Sequence, residues 1–194
     1  MRSGRPRGFE RQDAIDAALQ AFWEHGFENT SMADLERCVG VGRQSLYNTL
    51  GDKRSLFLAA LRRYVEQYAQ PQVDLLFKSS TPSEGLRRWV DEWMLRTPPL
   101  AFGCFVANTL ASPLVSDPEV RAILDDHFRS LKGALEQTLV AIQSQSKQSP
   151  ALEPKALAET LMALNLGRAA LTRVSHLDDQ ALRQTIDHLL KALR

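Results

Sequence analysis

Residues 30–57 read TSMADLERCVGVGRQSLYNTLGDKRSLF, and this stretch decides the fold. Ser31 is followed three residues later by Asp34, a capping-box-like pair that opens a helix. Leu35, Cys38 and Val39 recur at helical spacing and are expected to face inward. Gly40 permits a left-handed backbone and ends the helix, and Val41 is an apolar plug in the turn. Residues 42–50 then form a second short helix. Its exposed surface carries Arg43, Gln44, Ser45, Tyr47, Asn48 and Thr49, while Leu46 and Leu50 supply the buried stripe. A longer helix starts at Lys53. A short helix, a glycine turn and a second short helix make the layout of a helix-turn-helix DNA reader. Eight helical residues rise about 12 Å, a length that fits across a major groove. Arg, Gln, Asn and Thr side chains can reach base edges or phosphates there.

Outward from this stretch the chain reads as helical throughout, with nine helices. Residues 9–24 form the first, with Ile15, Ala18, Leu19, Phe22 and Trp23 on one face and Gly26 ending it. The two reader helices follow. The fourth runs over residues 53–70, is stopped by Pro71 and links two domains. Thr81-Pro82-Ser83-Glu84 is a capping box with proline at the first helical position; it opens a fifth helix to about residue 96, broken by Pro98 and Pro99. A short sixth covers residues 103–111. Ser116-Asp117-Pro118-Glu119 repeats the cap-and-proline signal and opens a long seventh, to about residue 145. Residues 144–150 are polar and loop-like. The eighth and ninth cover residues 154–174 and 178–193. Nothing alternates for long like a strand, and there is no internal repeat.

The central stretch resembles the DNA-binding segment of the TetR family of bacterial transcriptional regulators. The match is carried by Thr30, Ser31, Asp34, Gly40, Val41, Leu46, Tyr47, Lys53 and Leu56. The chain departs from the family pattern at Glu36, Gly42, Gln44 and Leu50, where a small residue, serine, glycine and an aromatic are usual. The resemblance is strong over residues 8–65 and architectural beyond. It implies an all-α, nine-helix TetR-like fold: a basic arm at 1–8, a helix-turn-helix domain at 9–53, and a helical ligand-binding and dimerisation domain at 54–194.

The partner implied is double-stranded DNA, a pseudopalindromic operator bound by a homodimer. The expected DNA contacts are Arg5, Arg7, Thr30, Ser31, Arg43, Gln44, Ser45, Tyr47, Asn48 and Lys53. Arg2, Arg5, Arg7 and Arg11 face only Glu10 in charge, so the N-terminus is either an arm that follows the groove or phosphates or a solvated tail. In the family, two C-terminal helices from each subunit form a four-helix dimer interface. Leu157, Leu161, Leu164, Arg168 and Leu171, with Leu182, Ile186 and Leu189, are expected there; burial within the chain's own core is the alternative. Ala163, Gly167 and Ala170 allow close helix approach.

The middle helices would hold a small-molecule inducer of unknown identity that releases a repressor from its operator. Trp89, Trp93, Met94, Phe102, Cys104, Phe105, Asn108 and Phe128 are the candidate lining, with Thr109 and His127 as further polar groups. For any single one of them ordinary core is the more common reading. Cys104 follows Gly103 near a helix start, where amide groups favour a thiolate, and a Gly-Cys pair there looks like one found in a TetR subset. It is either an electrophile or redox sensor or a small buried hydrophobe. Cys38, on the inward stripe, receives no reactive role.

Composition narrows the classes. The chain has 194 residues, 44% of them hydrophobic, with a net charge of +1. That supplies one or two cores but no basic coat for nucleic acid. No segment approaches the roughly 20 apolar residues that span a bilayer, and the N-terminus lacks the apolar core of a signal peptide. A cytoplasmic protein without cofactor is expected. Two cysteines form neither a disulfide framework nor a zinc site. His25, His127, His176 and His188 are scattered, with no metal spacing or triad, and no phosphate loop or nucleophile elbow is present. The chain is not expected to be an enzyme; an all-helical enzyme or an adaptor that ignores DNA is the different-class alternative.

Overall fold

The computed structural model describes residues 11–95, 102–145, 152–171 and 179–191. They form α1 (Arg11–Asn29), α2 (Met32–Val39), α3 (Arg43–Leu50), α4 (Lys53–Tyr64), a π-helical stretch (Val65–Ala69), α5 (Gln70–Leu75), α6 (Pro82–Leu95), α7 (Phe105–Leu110), a 3-10 turn (Pro113–Ser116), α8 (Pro118–Gln145), α9 (Pro154–Leu171) and α10 (Asp179–Lys191). Because α4, the π stretch and α5 follow without a break, these ten segments make nine helical rods among the described residues. No helix among the described residues is long and apolar enough to cross a membrane. The expected arm, with Arg5 and Arg7, and the expected helix break at Pro98 and Pro99 lie outside the described residues.

The chain divides into two compact units, residues 1–64 and 65–194. In the first, α1 packs against α2 and α4, and α2 against α3. Ile15, Leu19, Phe22 and Trp23 of α1 are buried with Leu35, Leu46, Leu50, Leu56, Phe57, Leu61 and Tyr64. The aromatic rings meet edge to face, Phe22 on Phe57 at 5.2 Å and Trp23 on Tyr64 at 4.9 Å, the geometry their quadrupoles favour. Arg63 donates two hydrogen bonds to the Asp16 carboxylate, at 2.7 and 3.1 Å, and so ties α4 to α1. Gly26 breaks the helical geometry of α1 at φ 77°, where the sequence placed the end of that helix.

Two sequence expectations fail locally. Cys38 is exposed rather than inward-facing; in an eight-residue helix the buried stripe narrows to Leu35 alone. The helical run also continues through Pro71 to Leu75. Proline cannot donate the bond a helix directs at the carbonyl four residues back, and its ring crowds that carbonyl. The widened π stretch directly before it makes the room, and Gln72 Nε2 donates to Tyr68 O at 2.6 Å.

The second unit is a bundle in which α8 packs on α5, α6 and α9, and α7 on α9. Its core joins Val73, Leu76, Leu86, Trp89, Val90, Trp93 and Met94 to Leu131, Leu135, Leu139, Leu157, Leu161 and Ile186. α10 is tied to α6 by two ion pairs, Arg87–Asp187 at 2.9 Å and Arg183–Asp91 at 2.8 Å. Gly85 has a packing reason: a Cβ there would lie 2.6 Å from the Leu76 carbonyl oxygen.

Candidate nucleic-acid interface

The reader is built from a cap, a glycine turn and an apolar anchor. Ser31 Oγ accepts from Asp34 N at 3.1 Å while Ser31 N donates to Asp34 Oδ2 at 2.9 Å, a full capping box. The bonds from Ser31 hold the Asp34 carboxyl below the usual carboxylate range, because hydrogen bonds to the ionised form favour it. Gly40 closes α2 at φ 74°, ψ 25°, a left-handed conformation that costs a side-chain-bearing residue more than glycine. Leu35 and Leu46, both fully buried, anchor the two helices.

With that anchor inward, α3 turns Arg43, Gln44, Ser45, Tyr47, Asn48 and Thr49 outward, and all six are exposed. Tyr47 is 58% exposed, an unusually open position for a large ring. Arg43 Nε lies 4.0 Å from Glu36 Oε1, an exposed pair that water screens strongly. Gln44 Nε2 donates to Asn48 Oδ1 at 2.9 Å, and Thr49 Oγ1 to Ser45 O at 2.9 Å. The surface therefore offers one cation, a phenol, two amides and two hydroxyls, a set suited to base edges and phosphates.

Two other expected contacts have different surroundings. Thr30 is fully buried, and its hydroxyl donates to Gly26 O at 2.7 Å. This corrects the expectation that it touches DNA: it partners the carbonyl at the kink where α1 loses its helical geometry. Lys53 is half-buried, with Nζ 4.2 Å above the Phe27 ring, a cation–π contact that holds the ammonium at the start of α4. Asp52, which sequence reading passed over, caps that helix: Ser55 N donates to its Oδ1 at 2.8 Å, and bonds from Ser55 lower its pKa. The Asp-x-x-Ser spacing carries that signal.

In the second unit, Trp89, Trp93 and Met94 lie in the shared core. Phe105 is buried, while Phe102, Cys104, Asn108 and Phe128 are half-buried. Cys104 is the N-cap of α7, and Asn108 Nδ2 donates to Phe102 O at 2.7 Å. Burial lowers the pKa of His127 to about 4. Trp93 Nε1 and His127 Nδ1 are buried with no hydrogen-bond partner among the described residues.

Several residues expected at a dimer interface turn inward instead. Leu157, Leu161 and Ile186 belong to the protomer's own core. Arg168 is 8% exposed and donates to the carbonyls of Trp93 and Met94, both at 2.8 Å. These are among the last carbonyls of α6, which have no intrahelical donor. The leucine stripe of α9 is thus used within the chain, since a lone helix is stabilised by burying its apolar face. Leu164 and Leu182 are half-buried against the same core, Leu189 is half-buried, and Leu171 is exposed.

Comparison with known proteins supports this geometry. Residues 14–60 match the model of the family described as bacterial regulatory proteins, tetR family, and residues 82–189 that of the tetracyclin repressor-like C-terminal domain. The chain is 29% identical to the HTH-type transcriptional regulator YezE of Bacillus subtilis, over 98% of this chain and 99% of that one. It is 29% identical to the HTH-type transcriptional repressor ComR of Escherichia coli, over 88% and 82%. Among solved structures, a cysteine mutant of the regulator CifR complexed with 26-bp operator DNA superposes with a TM-score of 0.77 at 24% identity, over 97% of this chain and 99% of that one.

Proposed function

Because the chain belongs to the TetR family of bacterial regulatory proteins, and is a DNA-binding transcriptional regulator, we propose that it is a repressor with no catalytic activity. It acts in the cytoplasm, binds a pseudopalindromic operator as a homodimer, and is released by a small molecule. The observation that carries this reading is the outward polar face of α3, held by a capped and fully anchored helix-turn-helix. Arg43, Gln44, Ser45, Tyr47 and Asn48 meet the groove. Ser31 and Lys53 sit at helix starts, where phosphates bind; Arg5 and Arg7 add two cations for the DNA backbone.

The inducer is apolar or aromatic and binds in the second unit beside Trp89, Trp93 and Phe105. Moving the protein from mostly bound to mostly free takes about 5.5 kcal/mol of differential affinity, so the ligand needs several good contacts. Trp93 Nε1 supports an inducer with a hydrogen-bond acceptor, because a buried donor without a partner is costly.

Gel shifts on genomic fragments test the reading: a few fragments are retained at physiological salt and the rest released. Lys53→Ala lowers affinity for every sequence alike and reduces the salt slope by about one. Equal retention of all fragments, or a salt slope unchanged in the variant, would overturn the assignment.

A further inference from the structure

Gln44 and Asn48 stand one helical turn apart on the exposed face of α3, joined by the bond from Gln44 Nε2 to Asn48 Oδ1 at 2.9 Å. Such an i,i+4 bond adds little to helix stability. Its consequence is for recognition. An asparagine amide has a carbonyl oxygen with two lone pairs and an amino group with two hydrogens. The bond takes one lone pair of Asn48 Oδ1. One lone pair and the Nδ2 hydrogens remain, side by side in a single plane whose rotation Gln44 restrains.

In the major groove, adenine places an acceptor, N7, beside a donor, the N6 amino group. Guanine places two acceptors there, cytosine a donor and thymine an acceptor with a methyl. The restrained amide of Asn48 matches adenine. Oxygen and nitrogen of an amide are easily exchanged in assignment, but the conclusion survives the exchange. If Asn48 Nδ2 donates to Gln44 Oε1 instead, Asn48 still keeps a free amino hydrogen and a free carbonyl.

We propose that Gln44 and Asn48 read one adenine of the operator half-site as a unit. Asn48 donates from Nδ2 to N7 and accepts from N6 at Oδ1, while Gln44 acts through Asn48 as a positioning residue. This rests on the reading that α3 enters the major groove.

Selection of binding sites from a random duplex library, by the full chain and by Gln44→Ala, Asn48→Ala and the double variant, tests it. The wild type selects a half-site with a fixed adenine, and replacing that base weakens binding about 5- to 150-fold. In Asn48→Ala that discrimination disappears. In Gln44→Ala it falls at the same base pair, and the double variant loses no more than Asn48→Ala. Putting 7-deazaadenine at that position, which removes only the N7 acceptor, weakens the wild type and leaves Asn48→Ala unmoved. Both side chains are exposed, so all four proteins keep the same melting temperature. If the two single variants alter different base pairs, or neither alters the adenine, the pair is a surface bond only and the proposal falls. If the wild type selects no motif, base reading by α3 falls with it.

Discussion

At the scale of single residues, burial decides what a side chain can do, and sequence spacing gives burial only in part. Thr30 and Ser31 are neighbours of similar chemistry, yet one is sealed under the kink at Gly26 and the other is exposed on the reader surface. Motif matching treats them alike because it records the residue and not the carbonyl its hydroxyl must partner. His127 shows the same dependence on surroundings. Its pKa falls from 6.5 to about 4 because burial disfavours the charged ring. Above pH 6.5 folded and unfolded chains are both neutral there, and stability does not change. Between 6.5 and about 4 the unfolded chain takes up a proton that the folded chain refuses, so stability falls as pH falls. The loss levels off near pH 4, at no more than about 3 kcal/mol, since the ring is not fully sealed. Urea midpoints of the wild type should therefore drop across that window. A His127→Gln variant should show a shallower drop, and parallel profiles would mean the ring is not the titrating group.

At the scale of helices, starts were legible, stops at glycine were too, and the packing between helices was not. The Ser31–Asp34 box appears as read; at Thr81–Glu84 only half of it does, since Glu84 N donates to Thr81 Oγ1 at 3.2 Å while Glu84 Oε2 accepts from Ser80 N at 3.2 Å. These are contacts within four residues, so the local sequence contains both partners. Pro71 misled for the complementary reason: a π stretch spanning five residues compensates for it, and no single residue announces one. Gly85 was invisible because its reason lies across the joint from α5 to α6, where the Leu76 carbonyl leaves no room for a Cβ. Neither partner is a flexible side-chain end that can swing away. Gly85→Ala should therefore destabilise the second unit by about 1–3 kcal/mol, even though alanine is the better helix former. Thermal unfolding followed by circular dichroism reads this directly. A variant that melts at or above the wild-type temperature would show that the joint relaxes without cost.

At the scale of the whole molecule, the sequence announced leucine stripes on its last two helices without saying which partner they face. Leu157, Leu161 and Ile186 turned to the protomer's own core, and Arg168 to the end of α6. Beyond the charged and polar start of α9, its outward residues are Ala163, Gly167 and Ala170 with Leu171 at the end, all exposed, and the three small ones let a second copy's helix lie close. A homodimer on a pseudopalindromic operator must present its two α3 helices about 34–36 Å apart, on successive turns of the DNA. Gly167 tests this without disturbing the protomer, because a Cβ built there meets nothing within 4 Å. Gly167→Arg should fold with the same helical content as the wild type yet run as a monomer in light scattering at micromolar concentration. Its operator affinity should then fall steeply, because linking two readers raises avidity by about 10²–10⁴ over one. A single half-site, which one reader contacts alone, should be bound by wild type and variant alike. A wild type that is itself monomeric, or a Gly167→Arg variant that stays dimeric and binds the full operator unchanged, would move the dimer interface off this face.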